Sequence, residues 1–203
     1  ISFKVDEYGF YYPVINEKLC VGCNNCLKTC NFQQKNVDGH MPLRGYAARH
    51  KDPAVYGSST SGGTFTALAQ YVLEKKGVVF GCVFGDDMVP KHVAAESLEN
   101  IAAMRGSKYV QSDTGLIYRE VKDNLTAGRW VLFTGTPCQV AALYSFLGNT
   151  DKTQLLTVDI ICHGVPSPGV FSKYIDFLTR KYGRRVTNFQ FRNKRYEWER
   201  PVI

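Results

Sequence analysis

No apolar stretch in these 203 residues approaches the roughly eighteen that a membrane-spanning helix requires. The opening residues carry no signal-peptide pattern, and the first residue, Ile1, is not methionine. The missing methionine, with the strand-like close at Pro201-Val202-Ile203, predicts a piece cut at both ends from a longer polypeptide. Also lacking is a second C-x2-C pair a dozen or so residues beyond the first, the arrangement a structural zinc loop uses. Acidic residues are the minority charge, 18 against 25 basic, which leaves a formal net charge of +7. With 44% hydrophobic and 21% charged residues the composition is that of an ordinary globular chain, long enough for one medium domain and a short appended module.

What the chain does concentrate is cysteine. Four of its seven cysteines, Cys20, Cys23, Cys26 and Cys30, form a C-x2-C-x2-C-x3-C run. That spacing is the bacterial ferredoxin pattern, in which a tight loop wraps thiolates around a 4Fe-4S cluster. Gly22, Asn24 and Asn25 between them are residues that tolerate the positive φ such wrapping needs. Disulfides would have to close very small loops, and thiolates kept for iron predict a reducing, cytoplasmic setting. In two-cluster ferredoxins the fourth cysteine of a run ligates the other cluster. Two alternatives follow. Either Cys30 serves a cluster whose own run lies upstream of Ile1, which leaves three ligands here, or Cys30 closes the single cluster with an altered loop.

Residues 1–36 read as a partial ferredoxin-type segment that opens with an aromatic-rich extended stretch, Glu7 to Val14, punctuated by Gly9 and Pro13. Residues 37–57 have no clean period and contain Pro42, Gly45, Pro53 and Gly57, which predicts an irregular linker. Residues 58–203 predict an α/β domain, a mixed sheet with flanking helices. In it, Gly57 to Thr64 lead into an apolar-periodic helix that stops at Gly77, so Ser59, Thr60, Ser61, Gly62 and Gly63 stand at a helix start suited either to a phosphate or to simple capping. Val78–Phe84 predicts a buried strand and 89–96 its antiparallel return, with a short helix after Ser97. Cys82, in mid-strand, reads as a small core residue. The loop or edge strand 106–112 offers Lys108, Tyr109 and Gln111 as a charge, a stacking ring and an amide, and Thr114 begins a helix to Ala127.

The clearest pattern starts at Arg129. A buried strand, the turn Gly135-Thr136-Pro137-Cys138, a helix from Gln139 to Leu147 and a strand from Leu155 to Ile161 make a right-handed βαβ unit. Thr136 as N-cap and Pro137 at the first helical position put Cys138 where the helix dipole lowers a thiol pKa. Cys162 and His163 follow the second strand, and Ser167 caps a helix to Tyr182. Neighbours on a strand diverge, so Cys162 and His163 are not a nucleophile and its base; a site for iron or flavin at the strand ends fits better. The last two dozen residues hold Arg180, Lys181, Arg184, Arg185, Arg192, Lys194, Arg195 and Arg200 among aromatics. A solvated helix end and strand is favoured there over a nucleic-acid patch, and a docking face for an acidic partner or an anionic cofactor stays open.

Five motifs in order, the cysteine run, Ser59 to Phe65, Gly106 to Ser112, Gly135 to Val140 and Ile161 to Ser167, resemble the coenzyme F420 hydrogenase/dehydrogenase beta-subunit family over nearly the whole chain. The resemblance implies an iron-sulfur flavoprotein that holds FAD and passes electrons between its 4Fe-4S cluster, a redox partner protein or subunit and a soluble two-electron carrier. It implies FAD contacts at Ser59, Thr60, Ser61, Gly62, Gly63, Lys108, Tyr109, Gln111, Thr136, Cys138, Gln139 and His163. Cys138 and Cys162 are expected near one another, either lining the flavin site or ligating a second cluster. Family members resemble a two-cluster ferredoxin at the start and extend further at the end. A non-catalytic, metal-stapled interaction module, similar to accessory proteins of polysaccharide synthesis, is the rival reading.

Overall fold

The computed structural model describes residues 1–30 and 44–192. Part of the expected linker and the cations Lys194, Arg195 and Arg200 lie outside these residues. Two antiparallel strands, β1 (Ser2–Val5) and β2 (Tyr11–Val14), open the chain, and α1 (Asn25–Thr29) lies inside the cysteine run. Then come α2 (Pro53–Ser58), α3 (Thr64–Glu74), β3 (Val78–Phe84), β4 (Pro90–Ala95), a 3-10 turn (Asn100–Met104) and α4 (Ile117–Thr126). The chain continues through β5 (Val131–Gly135), α5 (Pro137–Leu147), β6 (Leu155–Asp159) and α6 (Pro168–Tyr182).

The main sheet has the order β4-β3-β5-β6. β3 pairs antiparallel with β4 and parallel with β5, and β5 pairs parallel with β6, so the sheet is mixed and the βαβ unit is as expected. Period-two alternation divides its core. Val78, Phe80, Val131 and Phe133 face α4 and α5, with Val121 and Leu143 packed on them. Val79 and Leu132 face the other side, against Ala69 and Val72 of α3 and Ile101 and Met104 of the 3-10 turn. A third cluster, Met88, Val110, Phe171, Leu178, Val186 and Phe189, seats α6 beside the sheet. Among the described residues no helix is long and apolar enough to cross a membrane.

Local differences from the expected pattern have local causes. Residues 53–58, read as irregular, form α2, because the Asp52 carboxylate accepts from the Ala54 amide at 2.8 Å and Pro53 holds the first helical position. Helix α4 starts at Ile117 rather than Thr114, since Gly115 takes φ +46 while its amide is drawn to Asp113 Oδ1 at 2.8 Å. β6 stops at Asp159, and Ile161 is fully exposed. The stretch after Ser97 is 3-10 rather than α-helical, with the Ser97 hydroxyl accepting from the Asn100 amide.

Candidate functional site

Both parallel strands that follow β3 in the sheet deliver their motifs to its carboxyl edge. β5 ends at Gly135, Thr136 caps α5, and Pro137 is its first residue, which sets Cys138 in the first turn. The Cys138 thiol lies 3.1 Å from Thr136 Oγ1. Gln139 reaches back with Oε1 to accept from the Thr136 amide at 3.0 Å, and its Nε2 donates to Ser112 Oγ at 2.9 Å. The strand-end turn and the 106–112 loop are thereby joined. The Tyr118 hydroxyl donates to the Gln139 carbonyl at 3.0 Å, and burial, with the Cys138 thiol nearby, pushes its pKa up to about 12.

Ser112 leads to a residue that the sequence pattern did not single out. His92 of β4 is buried, stacked on Phe133 with centroids 5.5 Å apart, and pairs across the strand with Cys82. Its Nε2 sits 3.1 Å from the Thr134 carbonyl, which can only accept, so Nε2 carries the proton. Nδ1 then accepts from the Ser112 hydroxyl at 3.2 Å. The only signal along the chain was a polar side chain at an inward-facing position of a strand. Burial lowers the His92 pKa, with Lys108 adding to that and the Thr134 carbonyl and Asp113 opposing it. A depressed histidine pKa means that the unfolded chain takes up the proton first. Stability from this group is therefore complete above about pH 6.5 and declines as the pH falls below it. Urea midpoints measured at pH 7.5 and 5.5 are expected to drop more for the parent chain than for His92→Gln; equal drops would remove His92 as the cause.

The second half of the site is a cleft of about 760 Å³ between the α2–α3 loop, the 105–108 loop and residues 189–192. Its cations are Arg105, Lys108 and Arg192, and no carboxylate among the described residues lines it. Arg105 Nη1 donates to Ser58 Oγ at 2.9 Å, while its buried Nε–H has no partner among the described residues. Lys108 Nζ donates to the carbonyls of Ala103 and Arg105 at 2.8 and 3.1 Å, closing the 3-10 turn as a cation at its carbonyl end. Burial pushes the Lys108 pKa down to about 8, with neighbouring Cys82 opposing. The Cys82 thiol is pushed up by the same burial. Phe189 and Phe191 supply an aromatic wall, and Tyr109 meets Phe191 edge-on at 5.2 Å while Arg192 stands over the Tyr109 ring.

The structure thus gathers the expected residues into two groups. Ser59, Thr60 and Lys108 line the cleft and Tyr109 flanks its wall, whereas Thr136, Cys138 and Gln139 surround the start of α5. Ser61, Gln111 and His163 are exposed and do not line the cleft. The Ser59 hydroxyl donates to the Val55 carbonyl at 2.6 Å, so its proton closes α2. Gly62 and Gly63 are small for an internal reason. A Cβ on Gly62 would lie 2.1 Å from the Ala48 carbonyl oxygen, and Gly63, at φ +88, would press on His50.

In the cysteine run, Gly22 and Asn24 take the expected left-handed conformation at φ 66 and 58, whereas Asn25 opens α1. Cys20, Cys23 and Cys26 are exposed and Cys30 is half-buried. Among the described residues no three His, Cys, Asp or Glu side chains converge on a common metal position. Cys138 and Cys162 both follow the carboxyl ends of neighbouring strands and both are exposed.

Two family matches fall one after the other along the chain. Residues 45–116 match the family described as the N-terminal part of the coenzyme F420 hydrogenase/dehydrogenase beta subunit, and residues 128–201 match the family described as its C terminus. The chain belongs to this beta-subunit family. The two matches cover both halves of the site, and residues 1–44 precede them. Among solved structures, the chain is similar to one in the F420-reducing [NiFe] hydrogenase complex from Methanosarcina barkeri, at 25% identity and TM-score 0.51. That similarity covers 64% of this chain and 49% of the other, so the chain spans about half the length of that relative. Comparison with curated proteins finds no match.

Proposed function

We propose that this chain is the redox module of an iron-sulfur flavoprotein oxidoreductase. FAD binds with its phosphates in the cleft, and electrons pass between a 4Fe-4S cluster on the cysteine run and a soluble two-electron carrier of the deazaflavin type. The observation that carries the reading is the cleft lining, which sets three cations and the Thr60 hydroxyl around one cavity without a carboxylate among the described residues; the Ser58 proton is spent on the Val55 carbonyl. Such a lining selects an anion, and Phe189 and Phe191 suit a ligand with a flat ring. The unpartnered Arg105 Nε–H fits the same ligand, because a buried donor without an acceptor costs about 1–3 kcal/mol.

In this reading Arg105, Lys108 and Thr60 hold the pyrophosphate and Gly62 and Gly63 shape the loop. Thr136, Cys138 and Gln139 stand at the edge where the ring would lie, positioned through Ser112 and His92. FAD, when bound, supplies the exchange between two-electron and one-electron transfer. The donor chemistry of Cys20, Cys23, Cys26 and Cys30, four thiolates at ferredoxin spacing, suits a 4Fe-4S cluster. A redox partner is supported by the structural relative, which belongs to a hydrogenase complex.

Titration of the anaerobically purified chain with FAD, followed by flavin fluorescence, tests this. Binding is expected, and Arg105→Ala is expected to weaken it about tenfold or more, as loss of a charged hydrogen bond does. A chain that binds FAD no better than a carboxylate-lined protein of equal size would end the proposal.

A further inference from the structure

The β1–β2 hairpin buries none of its strand residues, and a two-stranded hairpin is at best marginally stable alone in water. Its turn is nonetheless well made. Asp6 Oδ1 accepts from the amides of Tyr8 and Phe10 at 3.0 and 2.8 Å, and the Gly9 amide donates to the Asp6 carbonyl at 3.1 Å. This leaves the Tyr8 carbonyl directed away from the hairpin, where it accepts from the Gly169 amide at 3.0 Å and from the Ser167 hydroxyl. Gly169 is the second residue of α6, so its amide is one of the donors that the helix cannot satisfy internally. Ser167 Oγ meanwhile accepts from the Val170 amide at 3.2 Å. The start of α6 is thus capped twice, by its own serine and by a carbonyl from a turn far away in sequence.

Only glycine fits on either side of that contact. A Cβ on Gly9, at φ +89, would lie 2.5 Å from the Gly169 nitrogen, and one on Gly169 would lie 2.6 Å from the Tyr8 oxygen. Further along the same segment, α1 packs against α5, the helix that carries Cys138 in its first turn. Cys162 and His163 lie on the loop that runs into the Ser167 cap.

We propose that the Tyr8–Gly9 turn and the Ser167–Gly169 helix start form a docking joint, with Gly9 and Gly169 as positioning residues, that holds the cysteine run against α5 at the carboxyl edge of the sheet. The joint rests on the functional reading above only for its purpose, which is to fix the distance between cluster and flavin; its existence is tested separately.

Hydrogen exchange of the whole chain reads it directly. Gly169→Ala adds a Cβ against Tyr8 yet raises the helix propensity of α6, so loss of the helix would not account for the result. Gly9→Asn keeps a residue that tolerates positive φ and introduces the same clash. Gly183→Asn makes an identical change at φ +62 with nothing within 4 Å, and is the control. Exchange across 1–14 and 25–29 is expected to quicken at least tenfold in both joint variants, with 78–84 and 131–135 unchanged and the control like the parent. Unchanged exchange in 1–30, or a rise spread evenly over the core, would overturn the joint. If the joint variants behave as expected but the reconstituted parent passes no electrons to flavin, the functional reading fails and the joint stands.

Discussion

Lys108→Met is expected to melt at a higher temperature than the parent chain at neutral pH while binding FAD about 30-fold more weakly or worse. Burial holds the Lys108 ammonium at a pKa of about 8 in the folded chain, against about 10.5 when unfolded. The folded state therefore disfavours the charge, and the cost is fully present below about pH 8 and fades as the pH rises towards 10.5. A difference of that size corresponds to about 3 kcal/mol. Loss of the two hydrogen bonds to Ala103 and Arg105 takes back part of that gain without cancelling it. The binding loss is larger because an ammonium has three donors and only two are spent on these carbonyls, which leaves the third for the phosphate that the proposed function places in the cleft. Thermal melts at pH 7 and 10 with FAD titrations decide it. A variant less stable at pH 7 would show that Lys108 does not strain the fold, and one that binds FAD like the parent would show that it does not hold the anion.

Anaerobic reconstitution with iron and sulfide is expected to load the parent chain and to fail completely in Cys23→Ala. In the ferredoxin pattern Cys20, Cys23 and Cys26 each ligate a different iron of one cube, and Cys23 is the middle of the three, so its loss removes one of the three ligands that the run supplies. Cys30→Ala is the informative companion. Under the cross-ligation rule its fourth thiolate serves a different cluster, so iron bound by Cys20, Cys23 and Cys26 should survive the substitution and leak away on gel filtration to the same extent as in the parent. About four irons per chain, retained through gel filtration and lost on Cys30→Ala, would show instead that the run closes its own cluster.

What could be read along the chain was whatever depends on neighbours in sequence. The continuous apolar runs at Val78–Phe84 and Val131–Phe133, the Thr136-Pro137 start of α5 and the Ser167 cap of α6 are all local signals, and the structure has each of them. The left-handed turns at Gly22 and Asn24 belong to the same class. Even among neighbours the pattern misleads where an aspartate two residues away captures a backbone amide, as Asp113 does in delaying α4 and Asp52 in starting α2.

The sequence by itself therefore determined most of the secondary elements and the βαβ unit, because period and capping act over a few residues. Only the tertiary structure decided which of these meet. It made His92 the link between Thr134 and Ser112, set Lys108 beside Cys82 at a cost to its charge, and seated the Gly9 turn on Gly169. Burial and close backbone approach are properties of distant segments brought together, and no window along the chain contains them.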